Sequence, residues 1–323
     1  MADPAPDDEQ LLKHAELAGF NVTPRRLAGF RRAQAMPSTP TSQCPERLVG
    51  LCHFLARTGE FRRRPDLPER RRLADAPVWL WYQGYPVPYL EVRDRAQHYL
   101  EHVDRGLREL REAERRLHPD HEPYEYATAA AEAYADAVMP TPMMRGIIPA
   151  FIDNYVRQAD GEEPHVPASR HELARQAAVD LFVRFQGVGH VPNEKAAEFV
   201  LAPLVIAKVQ AEVPDVEAVL AAMSLSGMNK ALWHRSEHEW WMVRHLVHAG
   251  LGITHQLATQ PGDRGVHQLA RLSTPGIDTQ GLLLMISWVA SALPYIVGYL
   301  NDNPLEIPDE RFRSSPLPRN KLR

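Results

Sequence analysis

The 323-residue chain is 44% hydrophobic and 24% charged, which is ordinary for a globular protein and argues against a disordered or fibrous class. Its length suggests two domains. Two cysteines, Cys44 and Cys52, exclude a disulfide framework and the usual zinc spacings, so we expect buried, reduced thiols in a cytoplasmic protein. The acidic first ten residues contain no apolar stretch, and no secretory signal is predicted.

Charge is distributed unevenly along the chain. Residues 21–72 contain twelve arginines and four acidic residues, a balance of +8, whereas the whole chain carries −4. A basic segment in an otherwise acidic protein is typical of a chain that contacts a polyanion through that segment alone. A solvated, arginine-rich surface is the alternative interpretation.

Two short helices are predicted at the start of this basic segment. Apolar periodicity indicates a helix over Leu11–Gly19, with the glycine at its carboxyl end. A second helix is predicted over Pro24–Met36, because Thr23 is a good N-cap, Pro24 fits the first helical position and Pro37 ends the pattern. Helix, tight turn and arginine-bearing helix together form the layout of a helix-turn-helix.

The residues of this stretch also resemble the MerR family of winged helix-turn-helix proteins. In that family a Val-Thr/Ser-x-Arg run leads to a paired aromatic and a Gly-Leu-Leu-x-Pro exit; here Gln34 replaces the turn glycine, and Gly29 precedes the single aromatic. The matching runs are Val22-Thr23-Pro24-Arg25-Arg26-Leu27, Phe30-Arg31-Arg32, Met36-Pro37, Cys44-Pro45-Glu46-Arg47-Leu48 and Gly84-Tyr85-Pro86-Val87-Pro88-Tyr89.

The resemblance covers the first third of the chain and implies a bacterial transcription regulator that binds double-stranded DNA as a homodimer. Phosphate and base contacts are expected from the arginine-bearing helix and the helix that follows it. The expected DNA-binding residues are Thr23, Arg25, Arg26, Phe30, Arg31, Arg32 and Arg47.

The apolar stretch Leu67–Gln83 is interpreted as an insertion that packs on the other helices of the same domain. Further helices are predicted over Pro45–Arg57 and Tyr89–Leu117. The last of these carries an apolar stripe with charged residues at most other positions. Such a stripe suits either a dimerising coiled coil, as in MerR-like proteins, or packing on the rest of the same chain, and Gly106 weakens the coiled-coil interpretation. The stripe consists of Val92, Ala96, Tyr99, Val103, Leu107, Leu110 and Leu117.

The polar stretch His118–Tyr124 is the predicted domain boundary. It separates a DNA-binding domain with its long helix, residues 1–118, from an all-helical regulatory or dimerisation domain, residues 125–305, and residues 306–323 are predicted to be a disordered tail. No alternating β-type runs occur, so the predicted fold is all-α, with a multi-helix bundle at the carboxyl end. Its predicted helices are Tyr126–Val138, Met143–Gln158, Arg170–Gln186, Glu194–Val213, Val216–Met228, Lys230–Ala249 and Gly281–Leu300.

Four histidines align on one face if Lys230–Ala249 is a continuous helix: His234, His238, His245 and His248. The first two lie within the H-x-x-E-H pattern, so they are candidate metal ligands. The plainer interpretation is a polar surface without metal. No third ligand can be assigned, no cofactor is expected, and no motif indicates an enzyme.

The twenty residues Gly281–Leu300 carry no charge and could span a bilayer. We expect instead a core helix with Trp288 and Leu293 buried and no membrane partner, because no basic anchors flank it. The sequence thus favours a DNA-binding regulator whose small-molecule or metal effector is unidentified. The alternatives are a helical interaction subunit that does not bind DNA and a histidine-ligated metalloprotein.

Overall fold

The computed structural model describes residues 7–60, 69–138, 224–258 and 279–302, together with a few positions between 175 and 222. This part of the chain is helical and contains no strand, in agreement with the predicted all-α class. Predicted helices Met143–Gln158 and Glu194–Val213 lie outside the described residues. The helices are α1 (Asp8–Leu17), α2 (Pro24–Arg32), α3 (Cys44–Glu60), α4 (Glu69–Tyr82), α5 (Tyr89–Leu117), α6 (Pro123–Val138), α7 (Leu225–His234), α8 (Glu237–Ala258) and α9 (Thr279–Asp302).

The turn between α1 and α2 is built from caps that the sequence predicts. Gly19 adopts a φ of 87° after α1, and its N–H bonds to the Glu16 carbonyl while that of Phe20 bonds to Ala15. This is a Schellman ending, which needs a left-handed residue where glycine carries no steric penalty. Thr23 then caps α2, since its hydroxyl accepts the Arg26 N–H at 3.2 Å.

Helix α2 ends at Arg32, four residues before the predicted end at Met36. Gln34 adopts a φ of 57°, and its N–H bonds to the Arg31 carbonyl while that of Ala35 bonds to Phe30. The chain therefore forms a second Schellman ending, with glutamine in the left-handed position that favours glycine. The prediction failed because Ala33, Gln34 and Ala35 carry no helix-breaking signal.

Helix α5 has the predicted bounds, and most of its apolar stripe is buried within the chain. Val92, Ala96, Val103 and Leu107 are buried, and α5 packs against α4, α6, α7 and α9. At Gly106 an added Cβ would lie 2.6 Å from the Tyr134 ring of α6, so the missing side chain permits this close approach. The stripe from Val92 to Leu107 thus serves intrachain packing, whereas Leu117 is 69% exposed.

The predicted helix Lys230–Ala249 is wrong, because α7 ends at His234 and α8 begins at Glu237. Ser236 forms a capping box with Glu239: the Glu239 carboxylate accepts the Ser236 N–H at 2.8 Å, and the Ser236 hydroxyl accepts the Glu239 N–H. Arg235 holds this break through bonds to the Ala290 carbonyl of α9 and to Glu239. The predicted break between Val216–Met228 and Lys230 is likewise wrong, since α7 runs through it.

Helix α9 lies at the centre of the packing, against α4, α5, α7 and α8. Leu293 is buried as predicted and Trp288 is half-buried against the core. Ser287 is also buried, and its hydroxyl donates to the Leu283 carbonyl at 2.8 Å. This hydrogen bond satisfies a polar group inside the helix bundle. In the described part of the chain, no helix reaches the length and apolar character that a membrane crossing requires.

Candidate nucleic-acid interface

Three arginines of α2 point into solvent. Arg25, Arg26 and Arg32 are exposed, whereas Leu27 and Phe30 are buried. The Arg26 guanidinium lies 5.7 Å from the centre of the Phe30 ring, within cation–π range. Phe30, expected among the DNA-binding residues, is 2% exposed and therefore supports the helix from beneath. The outer face of α2, formed by Arg25, Arg26 and Arg32, can therefore donate hydrogen bonds to a phosphate or to the edge of a base.

Arg31 leaves this face and pairs with the amino end of α1. Its two terminal nitrogens donate to the Asp8 carboxylate at 2.9 and 2.5 Å. Hydrogen bonding to Arg31 lowers the pKa of Asp8, so this carboxylate stays charged well below neutral pH. Asp8 thus pairs, within the same chain, with Arg31, one of the predicted DNA contacts. No local sequence pattern links two residues that lie 23 positions apart.

Arg47 lies in the core instead of on the surface. Its side chain is 2% exposed, and its guanidinium donates to both Glu91 carboxylate oxygens at 2.8 Å and, through Nε, to the Ala35 carbonyl at 3.0 Å. These bonds join α3 to the start of α5 and to the segment that leaves α2. We therefore exclude Arg47 from the proposed interface and assign it to positioning α2.

The candidate metal ligands His234 and His238 lie in different helices, on either side of the break at Arg235 and Ser236. Both are exposed, and His238 stacks on Trp241 with ring centres 6.0 Å apart. Within the described ranges, no three His, Cys, Asp or Glu side chains are grouped so that they could hold a metal ion. Contrary to the prediction from the sequence, the two histidines therefore do not share one face of a continuous helix.

His248, the last of the four histidines, stacks on Tyr82 of α4 with ring centres 4.7 Å apart. Partial desolvation lowers the pKa of His248 although much of its surface is exposed, and the positive charge of Arg244 and of protonated His245 acts in the same direction. The native state therefore takes up this proton at lower pH than the unfolded chain does.

We expect acidification to destabilise the fold through His248. Between the native pKa and about 6.5, the unfolded chain binds more protons, so stability rises with pH and falls as pH drops below about 6.5. His248→Phe should keep the stacking and remove this contribution, which makes the melting temperature less sensitive to pH between about 7.5 and 5.5. Equal pH sensitivity in the parent and variant melts would contradict the assignment.

Comparison of the chain with protein-family models, with curated proteins and with solved structures gave no match. The arrangement of α1, α2 and their side chains is therefore the basis for assigning a function.

Proposed function

We propose that the protein is a MerR-like transcription regulator that binds double-stranded DNA through the outer face of α2. The observation that carries the proposal is the pattern of exposure on this helix: Arg25, Arg26 and Arg32 are exposed while Leu27 and Phe30 are buried in the core. Arginine offers a planar set of N–H donors that fits phosphate oxygens and the guanine edge.

Hydrogen bonds hold the chain on both sides of α2 and form a supporting frame. Thr23 fixes the first turn, the Gln34 turn fixes the last, and Arg47 holds the Ala35 carbonyl just beyond it. Recognition by a helix requires such a frame, because side chains must reach base edges with a defined register. The proposal includes a homodimer, in which the second copy of the chain presents its own α2 to the next half-site of the DNA.

Binding should fall steeply with salt. Each phosphate contact contributes about −0.9 to the slope of log affinity against log salt. The double variant Arg25→Ala with Arg26→Ala removes two candidate contacts, so we expect a slope shallower by about 1.8 and weaker binding at low salt. Fluorescence anisotropy of a labelled random-sequence duplex between about 50 and 200 mM salt measures both quantities.

The matched control is Arg105→Ala, which removes the same charge from an exposed position of α5. It should leave the slope unchanged.

Asp8→Asn should increase affinity, because it removes a negative charge from the interface and releases Arg31 from its ion pair. A flat salt profile of the parent protein would refute DNA binding and favour a helical interaction subunit.

A further inference from the structure

A cleft of 280 Å³ lies between the turn that joins α1 to α2, one side of α2 and the middle of α3. Phe20 and Val22 from the turn, Phe30 from α2 and Leu55 from α3 give it apolar walls. Arg26 contributes to its rim. Small-molecule sites have this composition, with mostly apolar walls and a small number of polar groups that orient the ligand.

The floor of the cleft is uncharged. Cys52 lines it and is 7% exposed, and burial raises the pKa of its thiol to about 11. The thiol is therefore protonated at neutral pH and behaves as a small apolar group. The charge that a ligand meets in this cleft comes from the Arg26 guanidinium at the rim.

We propose that this cleft binds a small aromatic carboxylate, with its ring against Phe20, Phe30 and Leu55 and its carboxylate on Arg26. A guanidinium carries five N–H donors and can hold a carboxylate by two of them while retaining other interactions. A benzoate-sized molecule suits a cavity of 280 Å³, which is near the lower end of known ligand sites.

A ligand in this cleft could also regulate DNA binding, and this step alone rests on the proposed function. Arg26 belongs both to the cleft and to the exposed face of α2. A carboxylate bound there neutralises one of the charges offered to DNA, so the ligand and DNA compete for the same guanidinium. The ligand would therefore act as an effector that weakens DNA binding.

Calorimetric titration of the full chain with benzoate, without DNA, tests the site independently of the proposed function. Benzoate should bind in the millimolar range expected of so small a ligand, while neutral benzamide and ring-free acetate should each bind at least about tenfold more weakly. Equal affinity for benzoate and benzamide would overturn the role of Arg26, and no detectable benzoate binding would overturn the site.

Two variants and one control locate the binding. Arg26→Gln should weaken benzoate at least about tenfold by removing the charge-assisted pair, and Ala56→Leu should do so by filling the cleft. Arg57→Gln removes a neighbouring exposed charge that does not line the cleft and should leave affinity unchanged. If Arg57→Gln and Arg26→Gln weaken benzoate equally, the attraction is non-specific and the proposal fails.

Methyl chemical shifts give a readout that is independent of affinity. With labelled valine and leucine methyl groups, benzoate should shift the signals of Val22 and Leu55, which line the cleft, in the parent chain and not in Ala56→Leu. Shifts confined to methyl groups elsewhere would overturn the assignment. Unchanged melting temperatures would show that both variants remain folded.

Discussion

Glu91→Ala is expected to lower the free energy of unfolding by about 3 kcal/mol, the lower end of the range for breaking a buried ion pair. The substitution leaves the Arg47 guanidinium, 2% exposed, without its carboxylate partner. The cost lies at the lower end because the Glu91 side chain is 33% exposed, so water can enter where the carboxylate was. Chemical denaturation followed by tryptophan fluorescence measures the change.

A double variant separates an unpaired buried charge from a lost contact. Arg47→Met together with Glu91→Leu removes both charges, and replacing a buried pair by apolar residues is often close to neutral. We expect it to recover only part of the loss, because Arg47→Met also removes the donor to the Ala35 carbonyl. Arg108→Ala, which breaks an exposed pair with Asp104, should cost less than about 1 kcal/mol. A Glu91→Ala cost no larger than this control would contradict the prediction.

The ion pair of Arg47 with Glu91 also helps to position α2, and the sequence did not predict it. Thr23, Pro24 and Gly19 act locally, so their patterns predict caps that the structure confirms. Arg47 was expected to contact DNA because it lies in a run, Cys44-Pro45-Glu46-Arg47-Leu48, that resembles the MerR family. Its partner, Glu91, is 44 residues away in the chain, and no local pattern indicates such a pairing.

Helix α5 shows how far periodicity reaches. Its bounds follow from the Pro88 and His118 ends and its apolar spacing, and these were predicted correctly. The identity of the surface that covers the stripe does not follow from periodicity, because an intrachain helix and a second chain require the same pattern. The contact of Gly106 with Tyr134 decides in favour of α6 within the chain for this part of the stripe.

The break between α7 and α8 could have been predicted. Ser236 and Glu239 have the S-x-x-E spacing of a capping box, which marks the start of a helix. We predicted a continuous helix over Lys230–Ala249 instead, and both the alignment of the four histidines and the candidate metal site depended on that continuity. The capping box lowers the cost of the break, because it satisfies backbone N–H groups that the interruption of the helix leaves unpaired.

The largest loss from a single side chain is expected at Trp79, which joins α4 to α9. Its ring is fully buried, and its Nε1 donates to the Thr279 hydroxyl at 3.0 Å across 200 residues of sequence. Trp79→Ala should lower the free energy of unfolding by about 3–5 kcal/mol through lost burial and the cavity left behind. The same denaturation experiment measures it.

Two comparisons identify the cause of this loss. Trp79→Phe keeps most of the apolar contact but removes the donor to Thr279, which is 8% exposed, so it should cost about 1–3 kcal/mol. Trp233→Ala removes a tryptophan that is 60% exposed and lies under the Arg93 guanidinium at 4.6 Å, which should cost about 1 kcal/mol or less. Because burial is the difference between the two tryptophans, similar losses at Trp79 and Trp233 would contradict the prediction.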